Sequence, residues 1–113
     1  MEELILKQKH EDMMKYGYIC LRQFPKSERH VLSADIRSSM YFIDKLIIRC
    51  QRRYYKKNTL EDLDIEIAHL QTKVRLAKEL GFLPFKKYEN WSNMLVEIGR
   101  IVGGWLKKVK SGS

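Results

Sequence analysis

Proline and glycine are scarce in this chain, with two and six among 113 residues. A sandwich or barrel needs turn signals about every ten residues, so an all-β fold is excluded. Only two cysteines occur, Cys20 and Cys50. They lack metal or redox spacing, and the expectation is two buried thiols in a reducing cytoplasm. No apolar run approaches the roughly 20 residues that span a bilayer. The opening "MEELILKQKHED" is acidic and then polar, unlike a secretory leader. Acids are outnumbered 14 to 22 by lysine and arginine, a formal charge of +8. The excess is uneven: residues 1–57 carry 13 Lys/Arg against 7 Asp/Glu, and residues 58–113 carry 9 against 7. Such a balance favours an acidic partner, whether nucleic acid, anionic membrane or acidic protein.

What is present is helical periodicity. Hydrophobic residues make up 44% of the chain, enough for a core in one domain. A first helix is expected over about 3–24, with Leu6, Met13, Gly17, Cys20 and Phe24 on one stripe. Pro25 disfavours its continuation, and Ser27 is a candidate cap for the next. A second helix, about 27–56, carries Leu32, Ile36, Met40, Ile43, Ile47, Cys50 and Tyr54. Asn58 or Thr59 is a candidate cap for a third helix, about 59–81, with Glu61 or Asp62 completing a capping box. In that helix Leu60, Leu63, Ile67, Leu70, Val74 and Ala77 follow alternating three- and four-residue steps, the signature of left-handed bundle packing. Gly81 suits its C-terminal cap, and Pro84 blocks continuation. A fourth helix, about 85–109, carries Tyr88, Trp91, Leu95, Ile98, Val102, Trp105 and Val109, before a short tail at 110–113. Short connections make neighbours antiparallel, so the expected fold is all-α: a single-domain up-down-up-down four-helix bundle.

Two apolar surpluses suggest self-association. Met94, Ile98, Ile101 and Trp105 broaden the face of the fourth helix, and Tyr41, Phe42 and Ile48 lie off the main stripe of the second. The fourth helix also holds Gly99, Gly103 and Gly104. Each costs a helix about 1 kcal/mol relative to alanine. Val102 and Trp105 keep the heptad phase through them, and Gly99 and Gly103 share a face. They are therefore expected to form a shallow notch against which a backbone or ring packs, with Trp105 beside it.

Catalytic chemistry finds no support. Dimetal bundles use paired Glu-x-x-His motifs, and only "EIAH", Glu66 and His69, matches. His10 lies on the first stripe and reads as an edge histidine with its hydrogen bonds satisfied. No nucleophile elbow or phosphate-cradling loop is present. No catalytic residue, metal or cofactor is expected.

The strongest chemical feature is "KLIIRCQRRYYKKN". Lys45, Arg49, Arg52, Arg53, Lys56 and Lys57 fall at spacings that place them on one face of a continuous helix, and no acid occurs between Asp44 and Glu61. Like charges at i,i+4 repel, which a bound polyanion would offset. Tyr54 and Tyr55 add rings able to stack on unpaired bases. Helix-dipole stabilisation accounts for the charges at the helix end but not for Lys45 and Arg49. Lys107, Lys108 and Lys110 form a second basic group at the end of the fourth helix, where parallel second and fourth helices would bring the two groups to one end of the bundle.

Several motifs carry a family resemblance. "FPKSERHVLSADIR", "LAKELGFLPFKKYE" and the closing "MLVEIGRIVGGWLKK" resemble the accessory variability determinant (Avd) of diversity-generating retroelements, over about residues 20–108. The first motif is shared with the four-helix bundles encoded by intervening sequences of bacterial 23S rRNA genes. These relatives continue with an Asn-Ile-Ala-Glu-Gly-like segment where this chain has "YFIDKLIIRC". The resemblance implies a non-enzymatic, basic homopentamer that binds RNA or DNA and a reverse transcriptase during mutagenic copying. It makes Arg37, Arg49, Arg52, Arg53, Lys107 and Lys108 candidate polyanion contacts. The alternative is an intervening-sequence-type bundle with an RNA-linked or purely structural role. A membrane-surface role for the basic amphipathic "GRIVGGWLKKVK" is opposed by its heptad register, which suits a bundle core.

Overall fold

The computed structural model describes residues 2–112. Four helices follow in order: α1 Glu2–Leu21, α2 Leu32–Arg52, α3 Lys57–Glu79 and α4 Phe85–Ser111. Each packs on its neighbours in a closed ring, α1 on α2, α2 on α3, α3 on α4 and α4 on α1. Cross-helix contacts show the antiparallel sense: Lys7 meets Asp44, His10 meets Met40, Lys9 meets Glu97, and Glu61 meets Lys110. The molecule is an all-α four-helix bundle measuring 46 × 24 × 19 Å, so its two ends are separate surfaces.

The α3 stripe is fully inside, from Leu60 to Ala77. Trp91 of α4 fills the middle, and its indole N–H points to the Met13 sulfur at 3.2 Å. Gly17 lets α1 approach both partners at that level. A Cβ there would lie 2.8 Å from Met40 Sδ and 3.1 Å from Trp91 Cζ2. The repeat Leu6, His10, Met13, Gly17, Cys20 and Phe24 also alternates steps of four and three, which places His10 in the core rather than at an edge. Its Nε2 donates to the Met40 carbonyl at 2.9 Å, while its buried Nδ1 has no partner. Both cysteines are buried and free. Burial pushes the Cys20 thiol up to about 11 and raises that of Cys50 as well, which suppresses the reactive thiolate.

The helix limits differ from the sequence reading mainly around α2. After α1 the chain turns tightly, and residues 26–28 form one turn of 3-10 helix. Ser27 does not cap α2. Glu28 reaches forward instead, its carboxylate accepting from the Leu32 N–H at 3.3 Å. At the other end α2 stops at Arg52, and Arg53 is extended (φ −89°, ψ 144°). Cys50 is the last core residue of α2, so nothing favours prolonging the helix. Tyr54, expected on the apolar stripe, lies in the loop and is exposed. Neither Asn58 nor Thr59 caps α3, which begins at Lys57 with Lys56 at the N-cap and no side-chain cap. Gly81 ends α3 as expected. Its φ is +82°, its N–H donates to Lys78, and Phe82 N–H donates to Ala77, a Schellman arrangement. α4 runs to Ser111, so Lys110 is helical rather than part of a tail.

Candidate nucleic-acid interface

The early end of α2 divides the basic run into parts. Lys45, Arg49 and Arg52 lie on α2, Arg53 lies in the loop, and Lys56 and Lys57 enter α3. They do not form one continuous helical face. They are gathered instead around the α2–α3 corner. Arg53, Tyr54, Tyr55, Lys57 and Asn58 line an open cleft of about 420 Å³ there, with no acid among its lining residues. Arg49 and Arg52 stand in the last turn of α2, where cations suit the helix dipole. Lys57 stands at the opposite pole, the first turn of α3, which contains no acid. The dipole disfavours a cation there and favours a bound anion.

Lys56 has a different task. Its ammonium donates to the carbonyl oxygens of Cys50 and Arg53, the second at 2.8 Å, closing the C-terminus of α2. It also lies 5.9 Å from the centre of the Trp105 ring. These contacts make Lys56 a capping residue and explain the helix break without glycine. The same contact brings α4 to this corner. Lys110 lies 3.8 Å from Glu61 of α3. Lys107 and Lys110 line one surface cleft with Gly103 and Leu106, and Lys108 lines another with Ile5, Arg100 and Gly104. The α2–α3 corner and the end of α4 therefore occupy the same end of the bundle.

Arg37 does not join them. It stands 12 residues before Arg49, about 18 Å along the helix axis. Its guanidinium donates to the Arg29 carbonyl at 3.0 Å. It lines a separate recess of about 270 Å³ at the α1–α2 connection, together with Arg22, Lys26 and Arg29. That second basic recess is built from the turn after α1 and the first turns of α2.

The expected notch is only partly present. A Cβ on Gly99 would meet Ile67 at 3.7 Å, ordinary contact at the α3–α4 seam. Gly103 and Gly104 have nothing within 4 Å of an added Cβ. Among the described residues no other element packs against Gly103, which is exposed one turn beyond the seam. Trp105 is buried in the core. So is Ile98, while Met94 and Ile101 are half-buried, so the apparent surplus on α4 is mostly core. The surplus on α2 is different: Tyr41, Phe42 and Ile48 are exposed. The Tyr41 hydroxyl lies 2.9 Å from that of Tyr18 on α1.

Glu66 accepts from the Ser39 hydroxyl at 3.4 Å, and His69 is exposed. Among the described residues no group of three or more His, Cys, Asp or Glu side chains is placed to hold a metal ion. No helix among them is long and apolar enough to cross a membrane.

A family profile described as bAvd-like matches residues 4–109. The chain belongs to the bAvd-like family. The match covers all four helices, from the first turn of α1 to the last turn of α4. It agrees with the Avd resemblance carried by the α1–α2 connection and by the glycine-bearing α4. Membership in the bAvd-like family supports, at a general level, an accessory protein of a diversity-generating retroelement. No curated protein matches the chain.

Proposed function

We propose that this bAvd-like bundle is a non-enzymatic accessory protein that binds RNA or DNA at its basic end and docks a reverse transcriptase during mutagenic cDNA synthesis. The observation that carries the reading is the α2–α3 corner, where Arg53 and Lys57 line a cleft with no acid in its lining and Arg49 and Arg52 stand in the adjoining last turn of α2. Guanidinium groups match phosphates bidentately, and contacts of this kind are largely independent of sequence and sensitive to salt. Lys45, on the same helix, and Lys107 and Lys108, at the end of α4, extend the positive field around that end. The protein acts as a scaffold that holds nucleic acid near the polymerase. Assembly into a homopentamer, as the family resemblance implies, would bring several basic ends into one particle, with the exposed Tyr41, Phe42 and Ile48 as its candidate contacts.

The test is filter binding at low salt with the triple variant Arg49→Glu, Arg52→Glu, Arg53→Glu. Affinity is expected to fall by at least tenfold while helical content stays unchanged. Unchanged affinity sinks the nucleic-acid reading. Co-purification with a co-expressed reverse transcriptase of a diversity-generating retroelement, and the mass of the protein in solution, test the docking and assembly parts.

A further inference from the structure

Tyr54 and Tyr55 are 86% and 85% exposed, more than any other large hydrophobic side chain described. Neither belongs to the core, and among the described residues their ring contact is with each other. The core stripe of α2 ends at Cys50, and the extended Arg53 carries the chain away from the helix before both rings. Two adjacent aromatic rings held in water forgo the burial that would stabilise the fold. Their placement therefore points outward. The rings meet edge to face, with centres 4.9 Å apart and planes at 82°. In that arrangement an edge covers at most one face of one ring, and the remaining faces stay open.

We infer that the α2–α3 corner is a stacking platform for an unpaired strand, and that this protein prefers single-stranded RNA or DNA to duplex. The inference rests on the nucleic-acid reading above and names its substrate class. Bases in a duplex are already stacked on their neighbours and present only their edges. Bases of an unpaired strand present open faces, which aromatic side chains accept irrespective of sequence. Arg53 and Lys57, on either side of the two tyrosines, supply phosphate contacts to the same strand. Asn58, in the same cleft, carries both a donor and an acceptor for a base edge. A second copy of the chain is a poorer occupant, because a protein of charge +8 would meet a cleft lined by cations and no acids.

Fluorescence anisotropy with a short labelled oligothymidylate or oligouridylate, and with a duplex of the same length, tests the inference on the full chain. The single strands are expected to bind about tenfold tighter than the duplex. Combining Tyr54→Ala with Tyr55→Ala removes about tenfold or more of the single-strand affinity and leaves the duplex unchanged. Tyr54→Phe with Tyr55→Phe retains wild-type affinity, since the ring face and not the hydroxyl makes the contact. Equal affinity for strand and duplex, or alanine variants that bind like wild type, overturns the platform and leaves the general nucleic-acid reading standing. If neither probe binds at low salt, the general reading fails first. If the alanine variants instead change the mass in solution with nucleic-acid affinity intact, the rings belong to a protein interface and the inference is wrong.

Discussion

The Nε2 nitrogen of His10 lies 2.9 Å from the carbonyl oxygen of Met40, sealed between α1 and α2. A carbonyl only accepts, so Nε2 carries the proton and the buried, unpartnered Nδ1 is bare. A second proton on Nδ1 would be a buried charge without an acceptor. Burial therefore lowers the His10 pKa from its usual 6.5, outweighing the Met40 hydrogen bond and the nearby Asp44. Below 6.5 the unfolded chain takes up a proton that the folded chain refuses. Stability is complete above that value and falls as the pH drops below it. The loss is at most about 1.4 kcal/mol per pH unit. His10→Gln keeps a donor for Met40 and does not titrate. Urea melts between neutral and mildly acidic pH should show a steeper loss of stability for wild type than for this variant.

Gly17 has the least room for a side chain of the glycines in the chain. Any Cβ there enters the space of Met40 Sδ and Trp91 Cζ2. The methionine end can swing aside, but the indole is fixed by its place at the centre of the bundle. Gly17→Val is expected to lose about 1–3 kcal/mol through overpacking. Gly17→Ala should lose less, because its gain in helix propensity, about 1 kcal/mol, offsets part of the strain. Thermal melts of the two variants check the order.

The positions of the core were legible because heptad spacing reports burial directly. Leu60, Leu63, Ile67, Leu70, Val74 and Ala77 share one heptad stripe and are all inside. The same rule places His10, but its polarity suggested the rim. The limits of α2 were hidden for another reason. Glu28 and Lys56 cap it with long side chains that reach across several residues, and such caps leave no short motif, unlike Gly81. A helix continuous through residue 56 would present a single basic stripe, whereas the break after Arg52 folds the same charges into a corner. The charges themselves were plain in the sequence. The cleft that Arg53 and Lys57 line, and the separation of Arg37 from it, required the fold.

Lys56 and Lys57 are adjacent in sequence and opposite in consequence. Lys56 is tied to the carbonyls of Cys50 and Arg53, whereas Lys57 is exposed and lines the cleft. Lys56→Met should lower stability by about 1 kcal/mol, the net worth of the lost capping bonds. Lys57→Met should leave stability within about 0.5 kcal/mol of wild type, or raise it slightly, since it removes a cation from the positive end of α3. Nucleic-acid affinity should reverse the order, with Lys57→Met the weaker binder. Melts and filter binding on the same two proteins separate capping from contact.

Gly103 distinguishes packing within the protomer from packing between protomers. Among the described residues no side chain lies within 4 Å of a Cβ added there, so none of them resists substitution. Gly103→Ala should therefore stabilise the isolated fold by up to about 1 kcal/mol through helix propensity alone. A glycine kept at that cost makes sense where a second chain approaches the outer face of α4. Gly103→Leu should then leave the helices folded and reduce the mass measured by light scattering. A Leu variant with raised melting temperature and unchanged mass would show that the outer face of α4 at this level is open to solvent in the assembled protein too.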